Sequence, residues 1–210
     1  MRYYDISTSI NPETITWNNE VPPAIKWHRR ISKGDYVNIS SLHINNHAGT
    51  HVDAPYHFIE SGKRFHQLDL SIFIGEARVV EINEKTITAS LLEESNIPST
   101  ERILFKTGSS ELYKEKEFRV DFSALDESGA RWLVEHGVKL VGIEYLSIEH
   151  FGETSHRVHH ILLSNEVAIL EGLNLEDIQP GDYRLMALPL KLDETEAAPV
   201  RAILMDINQH

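Results

Sequence analysis

Cysteine is absent from all 210 residues. That excludes a disulfide framework, a thiolate ligand and a cysteine nucleophile, and leaves histidine and carboxylate to hold any metal. It also fits a cytosolic location. No apolar run approaches the ~20 residues of a membrane-spanning helix. The opening Met1-Arg2-Tyr3-Tyr4-Asp5 does not read as a signal peptide. Positive charge is scarce: 20 Lys and Arg stand against 32 Asp and Glu, a net charge of -12. That balance disfavours nonspecific binding to nucleic acid or an anionic membrane. Internal repeats and low-complexity tracts are missing too. What is present, 41% hydrophobic and 25% charged residues, is an ordinary globular composition long enough for one large core or two small ones. The expectation is a cytoplasmic protein that binds neither nucleic acid nor membrane.

Histidine is concentrated where other things are lacking. From His47 to His57 the chain reads His-Ala-Gly-Thr-His-Val-Asp-Ala-Pro-Tyr-His, with three histidines and an aspartate inside eleven residues. Imidazole nitrogen with carboxylate oxygen suits divalent zinc, manganese, iron or nickel. Counted from His47, the others fall at i+4, i+6 and i+10. On a continuous helix i+6 turns away, whereas even offsets share one side of an extended chain. Gly49 and Pro55 also oppose an unbroken helix. The segment is therefore expected to be extended or kinked, following the strand-like run Tyr36 to Ile44, with Thr50 and Val52 facing the protein.

Along the rest of the chain, Tyr3 to Ile10 reads as a strand. Asn11 to Pro23 is a loop carrying Trp17, which is placed to be a lid or wall over an apolar substrate, or to pack on the body or a second subunit. Ala24 to Arg30 and Tyr36 to Ile44 read as strands joined by Ser32-Lys33-Gly34-Asp35. Strands are expected over Ala77 to Ile82, Ile103 to Thr107, Val138 to Ile143, Val167 to Leu170, Tyr183 to Leu190 and Val200 to Asp206. A short helix is expected over Thr88 to Asn96 with Thr88 as N-cap. An amphipathic helix follows over Ser123 to His136, ended by Gly137, and a helix over Thr154 to Asn165 carries His156, His159 and His160. Lys114 to Val120 is a charged surface loop. Ser147 and Glu149 follow a central strand, where α/β proteins often place functional groups. His66 is close enough to the ligand run to assist it, although an exposed histidine is the simpler reading. Glu171 ends an apolar strand, a costly place for a carboxylate unless it is paired, hydrated or bound to metal.

The run His47 to His57 resembles the signature of the cyclase family of metal-dependent hydrolases, which includes bacterial kynurenine formamidase (arylformamidase) and isatin hydrolase. His47, Gly49, Thr50, His51, Asp53, Pro55 and His57 all match. The likeness extends from Tyr4-Asp5-Ile6-Ser7 to Pro199-Val200-Arg201-Ala202-Ile203-Leu204, and takes in Leu188-Pro189-Leu190-Lys191. The family places a further histidine twelve residues before the glutamate of a Glu-Gly-Leu motif, which here gives His159, Glu171, Gly172 and Leu173. His160 falls where the family often has arginine. Spacing alone does not choose between the two histidines. In kynurenine formamidases a tryptophan matching Trp17 lines the substrate pocket and tends to be followed by Pro-Gly-Asp; here Asn18-Asn19-Glu20 follows.

The resemblance implies a metal site of His47, His51, Asp53, His159 and Glu171. One or two divalent ions, zinc or manganese, would be held there, with Asp53 and Glu171 able to bridge. Two ions polarise a carbonyl and make hydroxide available near neutral pH. It implies that His57 is the general acid–base, a role its ordinary pKa suits, the alternative being a sixth ligand. The expected reaction is hydrolysis of an amide C–N bond in an aryl-linked small molecule, an N-formylkynurenine-type formamide first and a cyclic amide such as isatin second. A non-catalytic metal or small-molecule binding module is the reading from another class. A structural metal site would need closed coordination, for which five ligands with two carboxylates are too many. The expected fold is α/β, with α+β as the alternative: one domain over residues 1–210, a mixed sheet with packed helices in a swivelling β/α/β arrangement. Family habit, and the aromatic loop holding Trp17 and Trp27, imply a homodimer or higher oligomer.

Overall fold

The computed structural model describes residues 2–18 and 20–207. Met1 and Asn19, both in stretches named above, lie outside the described residues. The first strand, β1 (Tyr3–Asp5), is followed by β2 (Ala24–Arg29) and β3 (Ile39–His43), which pair only with each other as an antiparallel hairpin. Next come β4 (His51–Asp53), β5 (Ile74–Glu81), β6 (Thr86–Ile87), α1 (Ala89–Glu94) and β7 (Arg102–Lys106). The chain continues through β8 (Ala124–Leu125), α2 (Glu127–Glu135), β9 (Leu140–Glu144), α3 (Arg157–Ser164), β10 (Ala168–Leu173), β11 (Gly181–Pro189) and β12 (Ala197–Asp206).

The main sheet runs β1-β12-β11-β5-β7-β9-β10-β4, and β4 pairs with β12 as well as with β10, so the strands close on themselves. From β5 to β10 neighbouring strands are parallel, and the remaining pairs are antiparallel. Closure leaves β4 without a free edge. The parallel strands read as continuous apolar runs because both of their faces are buried. Leu104, Leu140 and Leu170 enter one core with Val52, Phe73, Leu185 and Leu204. Their neighbours Ile103, Phe105, Val141, Ile143 and Ile169 face the opposite way, into a second core with Leu133, Val158 and Leu162 from the helices.

Local chemistry sets the helix ends. Thr88 caps α1 by accepting from the Leu91 N–H, and Asp126 caps α2 by accepting from Gly129. Gly137 follows α2 at φ +72°, the left-handed residue that closes a helix at low cost. Element ends shift: the helix expected from Thr154 begins at Arg157 and leaves out His156, the strand expected over Tyr36 to Ile44 is Ile39–His43, and two shifts are larger. The helix expected from Ser123 begins at Glu127, because Ala124 and Leu125 pair with β6 before the Asp126 cap. The strand expected over Tyr3 to Ile10 stops at Asp5 and resumes only as a single bridge from Ser7 to Leu173.

Candidate metal centre and substrate cleft

The ligand run is not one strand but a strand between two turns. Only His51–Asp53 is extended; His47 lies in a turn before it, and Pro55 opens a 3₁₀ turn that ends with His57. Alternation along β4 sends Val52 into the inner core and His51 and Asp53 to the opposite face. That is the face on which the helices pack. Glu171 of β10 lies directly across from His51, and α3 brings His159 over the same spot. The strand entering from Tyr36 to Ile44 does not lead directly into the site: it belongs to the β2–β3 hairpin.

The two motif glycines are explained by one contact. Gly49 and Gly172 both have left-handed backbone, φ +70° and +73°. A Cβ on Gly172 would sit 2.2 Å from the Gly49 carbonyl oxygen. Thr50 locks this approach by donating its hydroxyl to the Gly172 carbonyl at 2.6 Å while accepting from the Thr8 N–H at 2.8 Å. Thus Gly49-Thr50 and Glu171-Gly172 register the two segments that carry the candidate ligands against each other.

Distances define a compact polar floor. His51 Nε2 lies 3.4 Å from Glu171 Oε2 and 3.5 Å from Asp53 Oδ1. His47 Nδ1 is 3.0 Å from Asp53 Oδ1, and His159 Nε2 is 3.6 Å from Glu171 Oε1. The Nδ1 of His51 lies 2.9 Å from the Gly49 carbonyl, an acceptor only, so that nitrogen carries the proton and Nε2 keeps its lone pair. Asp53, His51, His159 and Glu171 are buried; His47 and His57 are half-buried. Both Asp53 oxygens and His51 Nε2 are buried without a hydrogen bond. Buried acceptors crowded together with His47 the nearest donor are costly in an apolar interior and suit a cation. Two of the close-set groups capable of holding an ion, His47–Asp53–His57 and His51–Asp53–Glu171, share Asp53.

Electrostatics follow from this crowding. Burial opposes charge on His47, but Asp53 and Glu196 lift it to about 10. Burial likewise opposes charge on His159, which Glu149 and Glu171 lift to about 9. Burial works against the Asp53 carboxylate too, yet His47, His51 and His57 hold it well below the usual carboxylate range. His57 differs: burial, helped by repulsion from His47 and His159 and opposed by Asp53, lowers it to about 4. At neutral pH it is an uncharged base, with its ring centroid 4.3 Å from that of His47.

A cleft of about 250 Å³ opens over this floor, lined by Trp17, Phe58 and Leu146 among the apolar residues and by Glu20, His150, Glu153 and His156 among the polar ones. Trp17 is half-buried in an aromatic cluster, with ring centroids 5.1 Å from Phe118 and 5.6 Å from Phe151. It stands in the cleft wall. Phe118 falls in the stretch expected to be a charged surface loop; its ring packs on Trp17 and Tyr145 instead. His66 and His160 stay outside the cleft. His66 accepts from the Glu194 N–H at 3.2 Å, and exposed His160 lies edge-to-face with Phe58 at 5.5 Å.

Two carboxylates gain importance in three dimensions. Glu149, a weak candidate from its place after β9, lies 2.8 Å from His159 Nδ1. Glu196, which reads in sequence as part of a solvated acidic loop, lies 3.4 Å from His47 Nε2. The only sequence signal for either is position: Glu149 follows a strand end, and Glu196 immediately precedes β12.

Strands closed around one core, helices on one face and a histidine–carboxylate floor define the metal-dependent hydrolase class. The sequence profile of the Cyclase family matches residues 4–150. Kynurenine formamidase of Bacillus thuringiensis (strain Al Hakam) is 33% identical over 208 residues, 98% of each chain. That of Salinibacter ruber is 37% identical over 209 residues, again 98% of each. A predicted metal-dependent hydrolase from Bacillus stearothermophilus superposes with a TM-score of 0.83 at 32% identity, covering 97% of each chain. Isatin hydrolase A from Ralstonia solanacearum shares the fold, with a TM-score of 0.85 at 20% identity over 98% of this chain and 92% of that one. The chain belongs to the Cyclase family, and it is a metal-dependent hydrolase.

Proposed function

We propose that the protein hydrolyses the amide C–N bond of an aryl-linked formamide of the N-formylkynurenine type. The observation that carries this reading is a buried cluster of carboxylate and imidazole groups, Asp53 and His51 Nε2 among them without hydrogen bonds, at the floor of an aromatic-walled cleft, with an uncharged histidine beside them. His47, His51, Asp53, His159 and Glu171 are the groups that would hold one or two divalent ions, zinc or manganese. A bound ion supplies Lewis-acid polarisation of the formyl carbonyl and acidifies water. His57 takes the proton from water as its oxygen joins the formyl carbon, then returns it to the nitrogen as the C–N bond breaks, releasing formate and an arylamine. Trp17, Phe58 and Leu146 pack on the aryl group and exclude water. The whole of residues 1–210 is read as one such hydrolase domain, and the active form as a homo-oligomer.

The test is a screen of the metal-loaded protein against arylformamides, cyclic amides and lactones, with metal content measured in parallel. Formamide turnover that exceeds the other classes is the expected result. Turnover of lactones or cyclic amides alone would replace the substrate assignment.

A further inference from the structure

We infer that Glu149 is a positioning residue: it fixes the tautomer and orientation of His159 so that the Nε2 of this histidine faces the metal centre. The inference rests on the ligand assignment of His159 made above.

Glu149 is buried and lies outside the proposed ligand set. Its Oε2 is 2.8 Å from His159 Nδ1, and its Oε1 accepts from the Val158 N–H at 2.8 Å. A carboxylate accepts and does not donate, so Nδ1 of His159 must carry the proton. In the neutral ring that an ion requires, Nε2 is then left with its lone pair, and it faces Glu171 Oε1 at 3.6 Å. Phe58 completes the clamp, stacking on the His159 ring with centroids 4.6 Å apart. A histidine ligand oriented through its second nitrogen by a carboxylate is a recurring device of metal sites.

The placement of Glu149 is itself secured. Its own N–H donates to Ser147 Oγ at 3.1 Å, and the Leu125 N–H donates to the Ile148 carbonyl at 2.9 Å. The adjoining Ile148 N–H donates to Glu171 Oε1 at 2.7 Å. One dipeptide therefore aims two proposed ligands, a backbone donor holding the glutamate and a side chain holding the histidine. At the start of α3, His156 is left-handed (φ +47°) and provides no side-chain cap. Glu149 supplies that cap from across the chain, so the bond that seats the helix and the bond that orients its histidine come from one carboxylate.

Glu149→Gln tests this by titrating the metal-stripped full-length protein with zinc against a competing chelator. An amide presents one acceptor in place of two, so Val158 and His159 can no longer both be satisfied. The expected result is a loss of about 10–100-fold in affinity for one ion. In the zinc-loaded protein the His159 Nδ1–H proton resonance should move upfield in the variant, as its hydrogen bond to a carboxylate becomes one to a neutral amide, a change that loss of stability alone does not produce. Should Glu149→Gln not fold, Glu149→Asp, which keeps the charge and withdraws it by one methylene, is read in the same way. His159→Ala runs alongside. If it loses an ion while Glu149→Gln binds as tightly as the unmodified protein, the role given to Glu149 is wrong and the ligand assignment stands. If it keeps every ion, the ligand assignment itself falls. A lower zinc count in His156→Ala would make Glu149, His156 and His159 a site of their own and overturn the positioning role.

Discussion

Asp53 belongs to two of the close-set groups around the floor, and neither of its oxygens accepts a well-formed hydrogen bond. Removing it should therefore affect every bound ion, whereas removing His47 or His159 affects one side. Asp53→Ala is expected to lose its metal on elemental analysis; full retention would refute the bridging role. His57 is placed differently. Burial, with repulsion from His47 and His159, keeps it uncharged at neutral pH, and it lines the cleft. His57→Ala is expected to keep its metal and lose about 10²–10⁴-fold in kcat, with little change in KM, as befits a group acting in the transition state. Loss of metal together with activity would make His57 a ligand.

Between elements, the controlling contact is the backbone approach of β10 to the turn before β4. Gly172→Ala would force a Cβ to within 2.2 Å of the Gly49 carbonyl, at a φ that L-residues resist. It should cost more than about 1 kcal/mol in denaturant unfolding and weaken metal binding, because Glu171 moves with Gly172. The same elements give the metal-free protein a distinctive pH profile. His47 and His159 rise from 6.5 to about 10 and about 9, so the folded state binds their protons more tightly than the unfolded chain. Their contribution is fully present below about pH 6.5 and is lost as pH rises through 9 to 10. His57, lowered to about 4, acts in the opposite sense and costs stability as pH falls from 6.5 towards 4. Asp53 and Glu171, both held low, lose their contribution at still more acid pH. Thermal melts of chelator-stripped protein should thus peak near pH ~6–7 and decline towards pH 10. Metal-loaded protein should resist the alkaline decline, since the ion then replaces the protons. Parallel curves for both forms would contradict this.

For the whole molecule, the β2–β3 hairpin stands apart from the closed sheet. All of its strand residues are exposed, including Ile25, Trp27, Ile39 and Leu42. Apolar side chains on an arm of this kind gain by burial against another surface, and a second copy is the occupant proposed here. Light scattering at micromolar concentration is expected to give a dimer or larger species, and Trp27→Glu to shift it towards monomer. A monomeric unmodified protein would end the proposal. Among the described residues, no helix is long and apolar enough to cross a membrane.

The chemistry was legible in the sequence because ligand types and turn residues are local properties. Histidines and aspartate at even offsets, a glycine and a proline among them, already point to a kinked segment that gathers metal donors. The strand runs and the caps Thr88 and Gly137 could be read for the same reason: each depends on residues a few positions away. What the tertiary structure alone decided depends on contacts far apart in the chain. β4 is only three residues long and exists because β10 and β12 flank it. Spacing leaves His159 and His160 open and the family motif favours His159; that His159 is buried and His160 exposed follows from which face of α3 meets the sheet. Glu149 is only a weak candidate, and Glu196 an ordinary solvated charge, until folding sets them beside His159 and His47. A carboxylate reveals its role through its partner, and a partner 10 or 149 residues away leaves no periodicity for a sequence to display.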